Sequence, residues 1–238
     1  SVIAVKGVGG FHLICDARNP KAIQRLRDKK RRPDKPFAIM ALNISSLATL
    51  VELSDTSKAL LQADQAPIVL LPKKRKLETD LADILAPGIN DLGCILPYTG
   101  LHYLLFHALV DQPSGSEWLS QANDHSLVIT SANLSGEPIV SDHQSGLDTL
   151  TQLADYVLLN NREIIAASDD SVLQAGSPPA MIRRARGFAP SAIELNENLP
   201  SILACGAHLK NTFCLTQGNK AYLSPYIGEL DSALNYQH

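Results

Sequence analysis

A short basic motif has the residue types that bind phosphate. Lys30 and Arg32 stand two residues apart, just before Pro33. Because the residue before a proline is disfavoured in a helix, both cations are expected at a helix end. Lysine offers a compact charge and arginine offers a two-pronged fork for phosphate oxygens, and Lys35 follows in the same turn. The pattern indicates phosphate binding, although a solvated helix end would have the same composition.

A second polar motif, Ser131-Ala132-Asn133, directly follows the apolar run 127–130. Ligand sites of open α/β sheets concentrate where strands end. A serine hydroxyl and an asparagine amide together offer donors and acceptors that suit the phosphate or ribose of a nucleotide. The same residues, with Ser135-Gly136, could instead only shape a turn, so both interpretations remain.

A third motif is rich in glycine, with Gly7, Gly9 and Gly10 preceding an apolar run. Glycines let backbone N–H groups approach an anion or a small planar group closely. No Gly-Lys-Ser/Thr follows, so this is not a Walker loop. His12 stands next to the segment and is either a hydrogen-bond donor to a ligand or an inward-facing core histidine.

The basic residues are clustered in a chain of net charge −3: residues 21–35, 73–76 and 183–186 hold 15 of the 21 cations. Clustered cations attract a polyphosphate or a polyanion. An RNA-binding module is therefore a second hypothesis. Because residues 21–35 contain no aromatic side chain for base stacking, that hypothesis requires double-stranded RNA recognised by shape. A purely structural module without a ligand is a third.

Apolar runs that alternate with helical patterns predict an α/β or mixed sheet. With 238 residues, 45% of them hydrophobic, the chain can bury one large core or two modest ones. The predicted strands are 2–5, 11–15, 37–42, 67–71, 127–130 and 156–159, with a further strand from 92 to the turn at Pro97. The predicted helices are 19–32, 45–62, 101–110 and 147–154. The texture changes near 196, which predicts a domain over 1–195 and a linker with a truncated second domain over 196–238.

The stretch 92–110 contains no Asp, Glu, Lys or Arg. A membrane span needs about 20 such residues, but Gly93, Pro97 and Gly100 interrupt this one, which predicts a strand, a turn and a buried helix. We see no signal peptide, and four scattered cysteines without a CxxC motif favour reduced thiols and a cytoplasmic protein. The spacing of His102 and His107 is typical of core or surface histidines rather than of a metal pair.

Six segments in order make the chain similar to a known family. They are Lys6–Ala17, Leu26–Met40, Leu96–His102, Ile129–Ile139, Asp169–Val172 and Ile182–Pro190. Together they resemble the YrdC-like domain of the HypF family of hydrogenase-maturation carbamoyltransferases. The segment Gly206–Asp231 resembles the start of the next domain of that family, which transfers the carbamoyl group.

The resemblance implies a YrdC-like twisted mixed sheet with helices, plus a short C-terminal β segment from the next domain. It implies formation of carbamoyl-adenylate from ATP, with Mg²⁺, and carbamate released from carbamoyl phosphate. Lys30 and Arg32 would be the catalytic residues. The expected nucleotide-binding residues are Lys30, Arg32, Lys35, Ser131, Asn133, Arg184 and Arg186. The expected carbamoyl-binding residues are Gly9, Gly10, His12 and Thr130.

Other roles also follow from the resemblance. Asp170 and Ser171 would orient a Mg²⁺–phosphate unit or one of the late arginines. Ala166 and its neighbours stand where the family usually has an arginine, which puts one salt bridge in doubt. The carbamoyl group would pass to the maturation protein HypE through the full-length protein, and this fragment is expected to be partially active.

Leu96 separates two reactions within the superfamily. The tRNA-modifying relatives, which make threonylcarbamoyl-adenylate, commonly carry an arginine at this position, and a buried threonine carboxylate beside Leu96 would be left unpaired. The leucine therefore favours an unsubstituted carbamoyl group, and threonylcarbamoyl-adenylate synthesis is kept as an alternative.

Overall fold

A large mixed sheet forms the centre of the protein. The structure, a computed structural model, describes residues 1–74, 84–134, 136–207 and 211–225. Within these residues nine strands form one sheet in the order β7-β1-β2-β6-β3-β5-β4-β8-β9. The strands are Ile3–Lys6 (β1), Phe11–Asp16 (β2), Ala38–Ala41 (β3), Ile68–Pro72 (β4), Asp91–Ile95 (β5), Ser126–Ser131 (β6), Tyr156–Leu158 (β7), Val172–Gln174 (β8) and Ala180–Arg183 (β9).

Parallel and antiparallel pairs alternate irregularly across this sheet. The pairs β1–β7, β3–β5 and β4–β8 are parallel, whereas the other neighbouring pairs are antiparallel. The α/β fold with a mixed sheet that the sequence predicts is confirmed.

Helices cover the sheet on both faces. The helices are Pro20–Lys30 (α1), Ile44–Leu47 (α2), Asp55–Leu61 (α3), Gly100–Leu109 (α4) and Leu147–Leu153 (α5), with a 3-10 turn at Glu117–Leu119. Successive residues of a strand point to opposite faces. Leu13 accordingly enters the core that contains Leu26 of α1, whereas Ile14 enters the core that contains Phe106 of α4.

Helix α1 begins where its sequence predicts but ends at Lys30, two residues before the predicted end. The side chain of Asn19 accepts a hydrogen bond from the backbone N–H of Ala22, and Pro20 occupies the first turn. The helix ends because Arg31 has the left-handed conformation, with φ 50° and ψ 48°. The N–H of Arg31 then bonds Asp28 O and the N–H of Arg32 bonds Arg27 O, which is a Schellman turn. This turn separates Lys30 from Arg32.

The single helix predicted over 45–62 is wrong, because two short helices, α2 and α3, replace it. Asn43 caps α2, and Ser54 starts α3 with a capping box to Ser57. Between them Val51, which is fully buried, forms a bridge with Lys73 beside β4. The apolar residues between the two helices therefore join the edge of the sheet instead of continuing a helix.

Helix α4 is not the buried helix that its composition predicts. Only one side faces the core, where His102 and Phe106 are buried, while Leu104 on the other side is 64% exposed. Among the described helices none is both long and apolar enough for a membrane span. The strands β8 and β9 were missed by the sequence prediction, because each has only three or four residues and β9 is exposed throughout.

A separate three-stranded sheet follows. Its order is β10-β12-β11, from Ile193–Leu199 (β10), Leu203–Cys205 (β11) and Phe213–Leu223 (β12). This is the predicted C-terminal β segment, and the predicted domain boundary at 195/196 falls within β10. Within the segment Gly206–Asp231, residues 208–210 and 226–231 lie outside the described residues. All four cysteines are free thiols, and Cys15 and Cys94 are buried.

Candidate functional site

The end of helix α1 and the end of strand β6 meet through Lys30. Its Nζ donates to Ser131 O at 2.6 Å, Asn133 O at 2.8 Å and Asn133 Oδ1 at 3.0 Å. Ser131 Oγ donates to the same Asn133 Oδ1 at 2.6 Å, and Asn133 Nδ2 donates to Glu137 O at 2.6 Å. The two polar motifs, which lie about a hundred residues apart in the chain, therefore form one structural unit.

Lys30 is a buried cation without an ion pair in the described structure, and the charge of Asp169 acts on it only from beyond ion-pair distance. Its side chain is 2% exposed, and none of the carboxylates in the described ranges forms an ion pair with it. Burial, together with the nearby Arg32, lowers the pKa of Lys30 to about 7. Its three donors bond neutral oxygens, which orient the ammonium without neutralising it. An incoming anion would supply the missing charge.

Arg32 and Lys35 lie in the turn that follows α1. Arg32 Nη2 donates to Pro36 O at 2.7 Å, and Nε lies 3.4 Å from Lys35 O. Burial lowers the pKa of Arg32 to about 10, with further contributions from Arg27 and Arg183. Lys35 is exposed. The turn thus presents two cations close to the buried Lys30.

The glycine segment forms a tight turn between β1 and β2, in which Gly7 N donates to Gly10 O at 2.9 Å. A Cβ on Gly9 would lie 2.4 Å from Ser168 O, and one on Gly10 would lie 2.4 Å from Ile139 Cδ1. The segment Gly9–Gly10 is therefore glycine because other parts of the chain approach it too closely for a side chain.

His12, Asp170 and Arg186 form a second buried cluster. His12 Nε2 lies 3.2 Å from Asp170 Oδ2, and Arg186 Nε donates to Asp170 Oδ1 at 2.7 Å. Burial alone would raise the pKa of Asp170, but His12 and Arg186 hold it well below its usual range. His12 Nδ1 is buried, and among the described groups it has no hydrogen-bond partner. It is a polar atom to which a bound ligand could bond.

Each of the three guanidinium nitrogens of Arg186 donates a hydrogen bond within the protein. Its two terminal nitrogens donate to Gln65 O at 3.2 Å and Ala66 O at 2.7 Å, and its guanidinium lies 3.8 Å from the ring centroid of Tyr98. The predicted nucleotide-binding role of Arg186 stays a prediction. Its contacts are those of a structural residue that holds neighbouring segments in place.

The pair Asp170-Ser171 offers no free oxygen to a cation. Both Asp170 oxygens face His12 and Arg186, while Ser171 Oγ donates to Arg186 O and accepts from Ala185 N, each at 2.8 Å. Within the described residues no group of three or more His, Cys, Asp or Glu side chains could hold a metal ion. These residues do not fit a resident Mg²⁺, and Asp170 instead orients Arg186, the other role expected of it.

Asp169 joins the two clusters. Burial raises the pKa of its carboxyl, although Arg183, His12 and Lys30 all oppose the shift through their charges. Arg183 is thus the late arginine whose charge acts on both Arg32 and Asp169. Arg184, which the sequence favours, donates through Nη2 to Ser191 O at 2.6 Å, while its buried Nη1 has no hydrogen-bond partner among the described groups. Sequence spacing alone does not distinguish three neighbouring arginines, so the sequence leaves open which of Arg183, Arg184 and Arg186 reaches the phosphate.

Thr130, the remaining predicted carbamoyl ligand, is buried at 9% exposure and pairs with Leu13 in the sheet. Its neighbour Ser131 pairs with His12. Side chains of successive residues alternate between the two faces of a sheet, so Thr130 and His12 lie on opposite faces. The structure therefore brings Ser131, rather than Thr130, beside His12.

The cations of 21–35 do not form a flat basic surface. Arg27 and Lys30 are buried, and Arg25 and Lys29 face the carboxylate of Asp155. This arrangement weakens the RNA hypothesis, since only part of the cluster remains for a phosphate backbone. Of the cluster at 73–76, Lys74 Nζ donates to Ala48 O, and residues 75 and 76 lie outside the described part.

Residues 1–185 match the Sua5/YciO/YrdC family model, which carries the description "Telomere recombination". The chain belongs to this family. Residues 197–238 of this YrdC-family chain match the model of the HypF Kae1-like domain, so the predicted start of a second domain is confirmed.

The curated relatives of this YrdC-family chain include carbamoyltransferases. It is 46% identical over 236 residues to carbamoyltransferase HypF2 of Cupriavidus necator and 42% identical over 237 residues to carbamoyltransferase HypF of Rhizobium leguminosarum bv. viciae. Each comparison covers 98% of this chain but only 29% and 30% of the respective relative. The resemblance to HypF that the six segments indicate is confirmed.

Solved structures agree with the fold. The crystal structure of full-length HypF in the phosphate- and nucleotide-bound form has a TM-score of 0.84 and 39% identity, covering 99% of this chain and 35% of that one. P. abyssi Sua5 complexed with L-threonine has a TM-score of 0.61 and 17% identity, covering 77% of this chain and 50% of that one. The second likeness supports the YrdC fold alone.

Proposed function

We propose that this chain is the nucleotide-binding, adenylate-forming part of a HypF-type carbamoyltransferase that serves NiFe hydrogenase maturation. The observation that carries the proposal is the buried ammonium of Lys30, which bonds the Ser131–Asn133 turn and has no ion pair among the described residues. The names of the curated relatives and the nucleotide in the HypF crystal structure support it. The substrates would be ATP and carbamate, the latter derived from carbamoyl phosphate.

The proposed chemistry is a displacement at the α-phosphorus of ATP. A carbamate oxygen forms a bond to that phosphorus, the bond to the bridging oxygen breaks, and its electron pair leaves with pyrophosphate. Lys30, Arg32 and Arg183 would stabilise the negative charge on the phosphate oxygens. Because all three Lys30 donors are engaged, a phosphate oxygen would have to replace one acceptor. Asn133 Oδ1 at 3.0 Å is the longest of the three contacts.

His12 would hold the carbamoyl part. Its buried Nδ1 has no partner among the described groups, while Asp170 fixes the ring from the other side. Mg²⁺ would enter with ATP as part of the substrate, since Asp170 and Ser171 do not fit a resident ion. In the full-length protein the carbamoyl group would pass to the next domain and then to HypE.

Calorimetric titration with ATP tests the binding step, and pyrophosphate release in the presence of carbamate tests the chemistry. Wild-type protein should bind ATP, and Lys30→Ala or Arg32→Ala should weaken binding about tenfold or more, the loss of a charged hydrogen bond. The proposal would be contradicted if the wild type did not bind ATP. It would also be contradicted if both variants bound ATP as tightly as the wild type. Pyrophosphate release that requires L-threonine would favour the threonylcarbamoyl alternative instead.

A further inference from the structure

Arg27 is a second buried cation at the end of helix α1. Its side chain lies inside the protein at 4% exposure. No carboxylate in the described part of the chain forms an ion pair with it. Carbonyl oxygens surround its guanidinium instead. Nε donates to Ile84 O at 3.0 Å, and Nη2 donates to Ile84 O at 2.5 Å and to Leu85 O at 3.2 Å.

The other arm of the guanidinium holds the turn after α1. Nη1 donates to Arg32 O at 3.0 Å, Pro33 O at 3.1 Å and Lys35 O at 3.0 Å. These carbonyls belong to the turn that carries Arg32 and Lys35. A planar guanidinium with donors on three nitrogens can reach both groups of carbonyls at once, whereas a lysine ammonium is a single point.

The backbone and the ring contacts of Arg27 act in the same direction. Arg27 O accepts the N–H of Arg32 at 3.0 Å, which closes the Schellman turn. Arg27 Cζ lies 4.6 Å and Arg32 Cζ 5.2 Å from the ring centroid of Phe37, so both guanidinium groups contact the same aromatic ring. Residue 27 thereby contacts Arg32 through its side chain, its backbone and a shared neighbour.

We infer that Arg27 is a positioning residue, which fixes the turn 31–36 so that Arg32 and Lys35 face the anion bound beside Lys30. It does not touch the substrate itself and acts through those two cations. The inference rests on the proposed function for the identity of the anion. The positioning of the turn, however, can be measured without any ligand.

The test compares Arg27→Lys and Arg27→Gln with the matched control Arg25→Gln, which removes an exposed cation from the same helix. Hydrogen exchange of the backbone amides in 31–35 should be faster in both Arg27 variants and unchanged in the control. ATP affinity should fall about five-fold or more, the cost of roughly one hydrogen bond of the turn. Arg27→Lys keeps the positive charge. A loss of ATP affinity in this variant would therefore show that the fork geometry of the guanidinium is required.

A double-mutant cycle separates positioning from general stability. Arg32→Ala should weaken ATP binding in the wild-type background and have no further effect in the Arg27→Lys background, whereas Lys30→Ala should still weaken it there. A variant that only melts at a lower temperature, with unchanged exchange in 31–35 and unchanged ATP affinity, overturns the inference. Additive effects of Arg27→Lys and Arg32→Ala also overturn it.

Two further results remain decisive. If Arg27→Gln does not fold, the Arg27→Lys measurements alone decide. If the wild type does not bind ATP, the proposed function fails, and the exchange of the amides in 31–35 still supports or overturns the positioning role.

Discussion

Lys30, which is buried, and Arg186, whose side chain is 12% exposed, are both cations that the sequence predicts to bind phosphate, yet their surroundings differ. Arg186 has a buried carboxylate partner, Asp170, at 2.7 Å and carbonyl partners for its other nitrogens. Lys30 bonds only neutral oxygens, and Asp169 acts on its charge only from beyond ion-pair distance. A cation whose charge is already compensated stabilises the fold, whereas one whose charge is not compensated remains available to an anionic ligand. The predictions below test this distinction.

The largest expected effect is on stability and comes from Asp170→Asn. The substitution leaves Arg186 buried without its counter-charge, which should lower the free energy of unfolding by about 3–5 kcal/mol. Urea unfolding at neutral pH measures it. Asp55→Asn, in the exposed pair with Lys58, is the control and should cost less than about 1 kcal/mol. If Asp170→Asn lowers the free energy of unfolding no more than Asp55→Asn does, the ion pair of Arg186 with Asp170 does not stabilise the fold.

Lowering the pH should reduce the free energy of unfolding of the wild type, as the substitution Asp170→Asn does. His12 and Arg186 hold the folded-state pKa of Asp170 below its ordinary value of 3.8. The stabilisation by this carboxylate is therefore present above that value and is lost as the pH falls toward the folded-state pKa. The acid-induced loss of stability should be smaller in Asp170→Asn.

The next effect is on binding and comes from Lys30→Met. ATP affinity should fall about ten- to a hundred-fold, because a charged hydrogen-bond donor is removed. The free energy of unfolding should change much less than in Asp170→Asn, because the burial cost of the uncompensated ammonium disappears as well. Lys29→Met, one residue earlier and half-buried near Asp155, is the matched control for calorimetry and should bind ATP normally. Equal loss in both variants would contradict a specific role of Lys30.

Protons should be taken up when ATP binds. Burial and Arg32 lower the pKa of Lys30 from its ordinary 10.5 to about 7, so near neutral pH part of the population is uncharged. A bound triphosphate favours the ammonium and raises this pKa, which draws a fraction of a proton, about half near pH 7, from the buffer. Calorimetry in buffers of different ionisation enthalpy measures the uptake. Uptake by Lys30→Met equal to that of wild type would assign it to another group.

The smallest effect concerns Arg31, which has φ 50° between Lys30 and Arg32. Left-handed backbone costs a non-glycine residue about 1 kcal/mol, so Arg31→Gly should be neutral or raise the free energy of unfolding by up to that amount. The turn keeps its shape, and ATP affinity should stay within about two-fold, since the change removes no donor of the site. Thermal unfolding and ATP titration measure both. A weaker affinity would show that the Arg31 side chain itself takes part in binding.

Much of the fold follows from local patterns. Asn19-Pro20 predicts the start of α1, apolar runs predict β1 to β7, and the change of texture near 196 anticipates the second sheet. Tertiary contacts override propensity elsewhere. Val51 is taken up by the sheet edge, which breaks the helix predicted over 45–62, and the short β8 and β9 depend on partners distant in sequence.

The site is predictable in its residue types but not in its contacts. The stripe Ala22, Ile23 and Leu26 continues through Arg27 and Lys30, all of them on the buried face of α1. Two cations on an apolar stripe are a sequence signal for buried charges that require partners. Which oxygens those partners are depends on where β6 and residues 84–85 lie in three dimensions, and one sequence does not state this.

The bond from Lys30 to Ser131 joins residues 101 positions apart in the chain. Closing so long a loop has an entropic cost that only the assembled sheet compensates, so this contact requires β6 to be paired. A ligand that needs both ends would not recognise a chain in which β6 is still unpaired. Only the folded protein would therefore bind the ligand. A saturating ligand would accordingly raise the melting temperature by mass action.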